Sequence, residues 1–227
     1  MKLRIKFRKY GCMKFIGHLD VMRYFQKVMR RSDTDIAYSG GFSPHQIMSF
    51  ASPLGVGLMS NGEYLDIEVN SATSAKEMMQ AMNRTMVEGM EILAVRKLPD
   101  QAKNAMSSVA KADYTITFRK GYEPEFVPEN IIPAFLAQPQ ILITKETKKS
   151  TREIDLKPSI YELSASQDGC IFMKVAAGSA ENIKPELVMD AIYCFAGEER
   201  KEFALEITRE DLFDENGNSL LEAGEEF

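Results

Sequence analysis

Leu3-Arg4-Ile5-Lys6-Phe7-Arg8-Lys9-Tyr10 decides the reading of the fold, because its side chains alternate in character. Leu3, Ile5 and Phe7 fall on one face; Lys2, Arg4, Lys6 and Arg8 fall on the other. A period of two is that of a half-buried strand, and it predicts a row of cations on the open side. The period then changes. Over residues 19–31, Leu19, Met22, Phe25 and Met29 recur at helical spacing, widened by Val21 and Val28, with Arg23, Lys27, Arg30 and Arg31 on the polar side. Residues 35–38 read as a short strand and Ser39-Gly40-Gly41-Phe42-Ser43-Pro44 as a turn-rich loop. Strands follow over 46–51 and 64–69, joined through Pro53, Gly55, Gly57, Asn61 and Gly62. Ser74 opens a Met-rich helix with Glu77 at capping-box spacing and Gly89 as its stop. Residues 91–98 read as a strand. The order β-α-β-β-α-β is the split βαβ, or ferredoxin-like, arrangement.

The second half repeats that order. Residues 114–120 read as a strand, 130–137 as a helix interrupted at Pro133, 141–144 and 170–176 as strands, 185–195 as a helix and 202–208 as the last strand. Residues 145–168 read as irregular, with a short strand at 159–164. Residues 100–111 read as a linker, and 214–227, acidic and broken by Gly and Asn, as a frayed tail. The expected fold class is α+β: two ferredoxin-like lobes in tandem, at 1–100 and 112–227, the first with an elaborated hairpin.

Of the 227 residues 44% are hydrophobic and 27% charged, ordinary values for a chain with a core. No apolar run is long enough to cross a bilayer, and the charged N-terminus lacks the apolar stretch of a secretory signal, so a cytoplasmic protein is expected. Cys12, Cys170 and Cys194 are far apart and outside any CxxC pair, which argues against a disulfide framework, a zinc site or a self-contained iron–sulfur site. The net charge of −5 is unevenly spread. Residues 1–50 hold ten Lys/Arg against three Asp/Glu, a net +7, and residues 198–227 hold eleven acids against three bases, a net −8. A basic N-terminal lobe suits a polyanion. The acidic second lobe would suit a basic face on a partner protein.

Both histidines lie in this basic region, His18 after Gly17 at the start of the first helix and His45 after the Gly/Pro loop. Four readings stand side by side. The two imidazoles are candidates for acid and base in RNA cleavage. His18, Asp20, His45 and Glu63 are candidate metal ligands. The helix start and the N–H groups around Gly40 and Gly41 are a candidate phosphate cradle. In the fourth, His18 caps a helix and His45 stabilises a loop. The spacings match no HExxH or phosphate-loop motif. The stripe Met78, Met79, Met82, Met86 and Met90 reads as core packing.

Phe15-Ile16-Gly17-His18-Leu19-Asp20-Val21-Met22-Arg23, then Ser39 to His45, Pro53 to Gly57 and Glu63 to Asp66, carry a resemblance to the uncharacterised radical-SAM-linked protein family. That family has Phe-x-Gly-His-Leu-Asp-x-x-Arg, Ser-x-Gly-Phe-x-Pro-His, Pro-Leu-x-x-Gly and Glu-x-x-Asp segments in this order. The resemblance covers residues 3–70. It implies a partner, a radical S-adenosylmethionine enzyme with a cobalamin-type domain, and its gene neighbourhoods imply RNA modification. The family often has basic residues after Pro-His, where this chain has Gln46-Ile47. The paired-lobe plan is also similar to CRISPR-type repeat-processing endoribonucleases, an analogy of fold alone.

The expected role is a non-catalytic accessory or substrate-binding protein that holds no cofactor of its own. Its expected partners are the radical enzyme and tRNA or rRNA. Its candidate contacts are Lys2, Arg4, Lys6, Arg8, Gly17, His18, Asp20, Arg23, Lys27, Arg30, Ser39, Gly40, Gly41, Phe42, His45 and Glu63. Replacing Arg4 and Arg8 with Ala is expected to weaken binding without unfolding the lobe. The alternatives are a metal-independent endoribonuclease that would use His18 and His45, and a structural assembly protein.

Overall fold

The computed structural model describes residues 1–147, 150–179 and 181–227, with side chains except at 145–147 and 150–152. Its elements run β1 (Lys2–Lys9), α1 (His18–Arg31), β2 (Met48–Phe50), β3 (Met59–Glu68), α2 (Ala75–Asn83), β4 (Met90–Lys97), α3 (Ala105–Ser108), β5 (Lys111–Phe118), α4 (Pro128–Ala137), β6 (Leu142–Thr147), β7 (Ser150–Asp155), β8 (Ile160–Ala165), β9 (Ile171–Ala176), α5 (Pro185–Ala196) and β10 (Leu205–Phe213). The protein is mixed α+β with mostly antiparallel strand pairing. It divides into two compact units: Met1–Ala110 with Arg209–Phe227, and Lys111–Thr208.

In the first unit β1 lies between β4 and β3, and β2 pairs with the end of β3, Met48 opposite Ile67. Alternation in β1 sends Leu3, Ile5 and Phe7 into a core shared with Phe25, Val28 and Met29 of α1 and Met78 and Met82 of α2. Phe7 and Phe25 pack with ring centroids 4.6 Å apart, and Phe50 edges onto both. The methionine stripe is core: Met78, Met82 and Met90 are buried, with Met79 and Met86 packed against them. Ser74 and Glu77 form the expected capping box. The helix stops at Asn83, before Gly89, and the Asn83 carboxamide takes both the N–H and the C=O of Ile92 in β4.

Two expectations fail here. Residues 101–111 are not a bare linker: α3 forms there, Ala105 and Val109 are buried, and the Ala105 N–H donates to Asp66. Residues 214–227 do not fray. Leu220 is buried, Phe227 packs on the core, and Glu225 bridges Lys97 through two backbone hydrogen bonds. β10 also ends at Phe213, beyond the expected 208, and its residues from Arg209 onward lie beside β3. Gly62 permits that approach, since a Cβ there would sit 2.5 Å from the Glu210 carbonyl oxygen and 2.6 Å from the Asp211 Cα.

In the second unit β9 pairs with both β5 and β8. α4 runs through Pro133 without a break. The expected strand at 141–144 does not join this sheet; β6 pairs with β7 as a separate hairpin. The segment expected to be irregular therefore holds the end of β6 and all of β7, whereas β8 stands where the short strand at 159–164 was expected; Lys148 and Lys149 lie outside the described residues. No helix among the described residues is long and apolar enough to cross a membrane.

Candidate functional site

The cation row of β1 is not open. Arg4 is fully buried, its Nε and Nη2 donating to the two carboxylate oxygens of Asp66 at 2.8 and 2.9 Å. Its remaining N–H groups reach the carbonyls of Leu220 and Lys103. Lys6 donates to Asp211 at 3.0 Å, and Arg8 pairs with Glu91. Only Lys2 stays exposed. The alternation is right, yet the face opposite α1 and α2 is covered by residues 103–105 and by the C-terminal segment, which supply the Lys103 and Leu220 carbonyls and Asp211, while Asp66 and Glu91 come from the neighbouring strands β3 and β4. Tyr64 belongs to the same cover: its hydroxyl donates to Asp211 and contacts Ser219 at 3.0 Å. Burial, with the Asp211 charge beside it, pushes that hydroxyl far above its ordinary value.

This cover also redistributes charge. Residues 1–110 hold fifteen Lys/Arg against ten Asp/Glu, and residues 209–227 hold one against seven, so the first unit nets −1. The second unit, with twelve bases against sixteen acids, nets −4. The expected contrast of a basic and an acidic lobe is thus mostly absorbed within the first unit.

On the helix-bearing side, a small cavity of about 20 Å³ is lined by His18, Pro53, Leu54, Phe50, Lys9 and Glu63, among others. Residues from three of the four motif segments meet there. Glu63 is buried and accepts from Nε and Nη2 of Arg209, whose Nη2 also donates to the Ser52 carbonyl at 2.7 Å. Lys9 is buried, with one long hydrogen bond of 3.5 Å to the Ile16 carbonyl. Burial lowers the Lys9 pKa, Glu63 opposes that shift and Arg209 adds to it. His18 does not cap α1. Gly17 is the N-cap, without a side-chain hydrogen bond, and the imidazole stands edge-on to Phe50 at 5.3 Å.

The four candidate metal ligands do not converge. Glu63 is engaged by Arg209, Asp20 pairs with Arg23 at 3.3 Å, and His45 lies on its own loop. No group of three His, Cys, Asp or Glu placed to hold a metal ion occurs among the described residues. His45 also lies outside the His18 cavity, so this structure does not pair the two imidazoles there.

His45 closes its loop. Ser39 Oγ contacts His45 Nδ1 at 2.8 Å, the His45 N–H donates to Ser39 Oγ at 3.1 Å, and the Ser39 N–H donates to the His45 carbonyl at 2.9 Å. Gly41 takes φ +98°, which only glycine adopts readily. Phe42 is fully exposed and Tyr38 half-exposed. Gln46 ties the loop to α1 by long contacts to the Gln26 carbonyl and the Tyr38 hydroxyl, at 3.4 and 3.5 Å. On α1, Arg23, Lys27 and Arg30 are exposed, and Lys27 and Arg30 have no ion-pair partner among the described residues.

Sequence reading missed Lys9 and Arg209. Lys9 had a signal: it is the odd-numbered cation in β1 and so falls on the face of Leu3, Ile5 and Phe7. Arg209, 146 residues from Glu63, had none.

Fold and site define an α+β protein whose motif segments frame a buried ion cluster and a braced aromatic loop beside a cationic helix. The chain belongs to the family described as an uncharacterised protein conserved in bacteria (DUF2344), whose profile matches residues 2–185. Comparison with curated proteins found no match.

Proposed function

We propose that this chain is a non-catalytic, RNA-binding accessory protein that works with a radical S-adenosylmethionine enzyme in the cytoplasm. We read both units as ferredoxin-like lobes. The order β4-β1-β3-β2 in the first, with α1 and α2 as crossovers, supports this, as does β10-β5-β9-β8 in the second, with the β6–β7 hairpin as an insertion. The observation that carries the RNA reading is the outer face of α1. Arg23, Lys27 and Arg30 stand there in water, whereas Arg4 and Lys6 are engaged in the fold. The places of the motif carboxylates support a non-catalytic role: Glu63 and Asp66 each neutralise a buried arginine and so are not free to move protons.

The test is the affinity of the whole chain for tRNA and for an rRNA fragment, by fluorescence anisotropy at graded salt. Affinity should fall steeply as salt rises. A variant carrying Arg23→Ala, Lys27→Ala and Arg30→Ala should bind more weakly, with a slope shallower by about 0.7–0.9 for each phosphate no longer neutralised. No detectable binding at low salt overturns the RNA reading. The enzyme partnership is tested separately, by co-purification of the radical enzyme with the tagged full-length chain. Its absence from the purified material overturns that part.

A further inference from the structure

We infer that the loop of residues 39–45 is a stacking platform for an unpaired nucleotide base, with Phe42 as the ring on which the base sits. This deepens the RNA reading and rests on it. Phe42 leaves both ring faces to water, although a flexible loop could fold a phenyl ring back onto the protein. The loop is closed at its base by the three hydrogen bonds between Ser39 and His45 and flanked by the Tyr38–Gln46 bridge. The ring therefore stands on a loop whose base is braced, which leaves less backbone to order when something stacks on it.

Charge selects the occupant. No Asp or Glu occurs between Asp35 and Glu63, so the loop and its flanks present no fixed negative charge along the chain. Gln46 reaches the Gln26 carbonyl of α1. At about 100° per residue, Arg23 and Arg30 lie within roughly 60° of Gln26 around the helix. An exposed ring, a half-exposed Tyr38 and two arginines on the adjoining helix edge form the pairing of aromatic and cation that binds single-stranded nucleic acid. Bases already stacked in a duplex offer no free face to Phe42, so the class selected is unpaired RNA: a loop, a bulge or a free end.

The experiment uses the full chain and two RNAs of equal strand length, one single-stranded and one a blunt-ended duplex paired along its whole length. The first carries a 2-aminopurine whose fluorescence falls on stacking. Wild type, Phe42→Ala and Phe42→Tyr are compared at low salt, with thermal melts to verify folding. We expect tighter binding of the unpaired RNA, quenching of its fluorophore and about ten-fold weaker binding by Phe42→Ala. That loss should leave the salt slope unchanged, spare the duplex and be restored by Phe42→Tyr. Equal affinity for the two RNAs, with Phe42→Ala neutral on both, overturns the platform while the RNA reading stands. No binding of either RNA overturns both. If Phe42→Ala leaves RNA affinity intact and instead abolishes capture of the radical enzyme, Phe42 anchors a protein, and the platform is overturned.

Discussion

At the scale of single residues, location decides whether a cation serves binding or folding. Arg4 and Arg23 have the same side chain and opposite tasks. Arg4→Ala leaves the Asp66 carboxylate without its guanidinium in a largely buried site, so it should cost about 3–5 kcal/mol of stability. The measurement is urea unfolding followed by circular dichroism, and an unfolding midpoint equal to wild type would sink the idea. The structure thereby corrects the expectation that Arg4 and Arg8 can be removed together without harm to the lobe. Lys9 makes the contrary case. Its ammonium has one long hydrogen bond, and burial lowers its pKa below 10.5. The unfolded chain therefore binds more protons than the folded one between the lowered value and 10.5. The charged Lys9 destabilises fully below that window, and the penalty lifts as pH rises through it. Lys9→Met should match or exceed wild-type stability at neutral pH, and its melting temperature should lack the relative gain on the alkaline side. Thermal melts across that pH range check both.

At the scale of elements, much of the local architecture was legible. The alternation of β1, the stripe of α1 and the Ser74–Glu77 capping box are short-range patterns, and β1, α1 and the start of α2 stand where those patterns put them, with Leu19 of the expected stripe left exposed. Ser74→Ala should cost about 1 kcal/mol, the ordinary value for removing a cap, read from chemical denaturation. The pairing of β3 with the C-terminal part of β10 was not legible, because strand partners depend on where a distant segment returns. Gly62 is its steric condition. Gly62→Ala puts a methyl group against backbone atoms of Glu210 and Asp211, which cannot swing aside as a side chain can. A loss of about 1–3 kcal/mol is expected. An unchanged melting temperature for this variant would show that β10 can shift at no cost.

At the scale of the whole molecule, the first unit is built from two parts of the chain that lie 98 residues apart, Met1–Ala110 and Arg209–Phe227. A fragment of residues 1–110 would lack the partner of Glu63, the acceptors of Lys6 and the Tyr64 hydroxyl, and the packing of Leu220 and Phe227. It should show no cooperative unfolding transition, and a peptide of residues 209–227 added in trans should restore one. A cooperative transition in the fragment alone would mean that the C-terminal segment is dispensable. The sequence by itself determined the α+β class, the position of α1 and the start of α2, the inward face of β1 and the region where the motifs lie. These follow from periods of two and 3.6 and from caps, all contained within a few residues. Only the tertiary structure decided which charges are open. It turned Arg4, Lys6 and Glu63 inward, left Arg23, Lys27 and Arg30 in water and set the acidic C-terminal segment against the basic first strand. A charge is exposed or neutralised according to what packs over it, and those partners come from positions up to 216 residues away, beyond the reach of any local pattern.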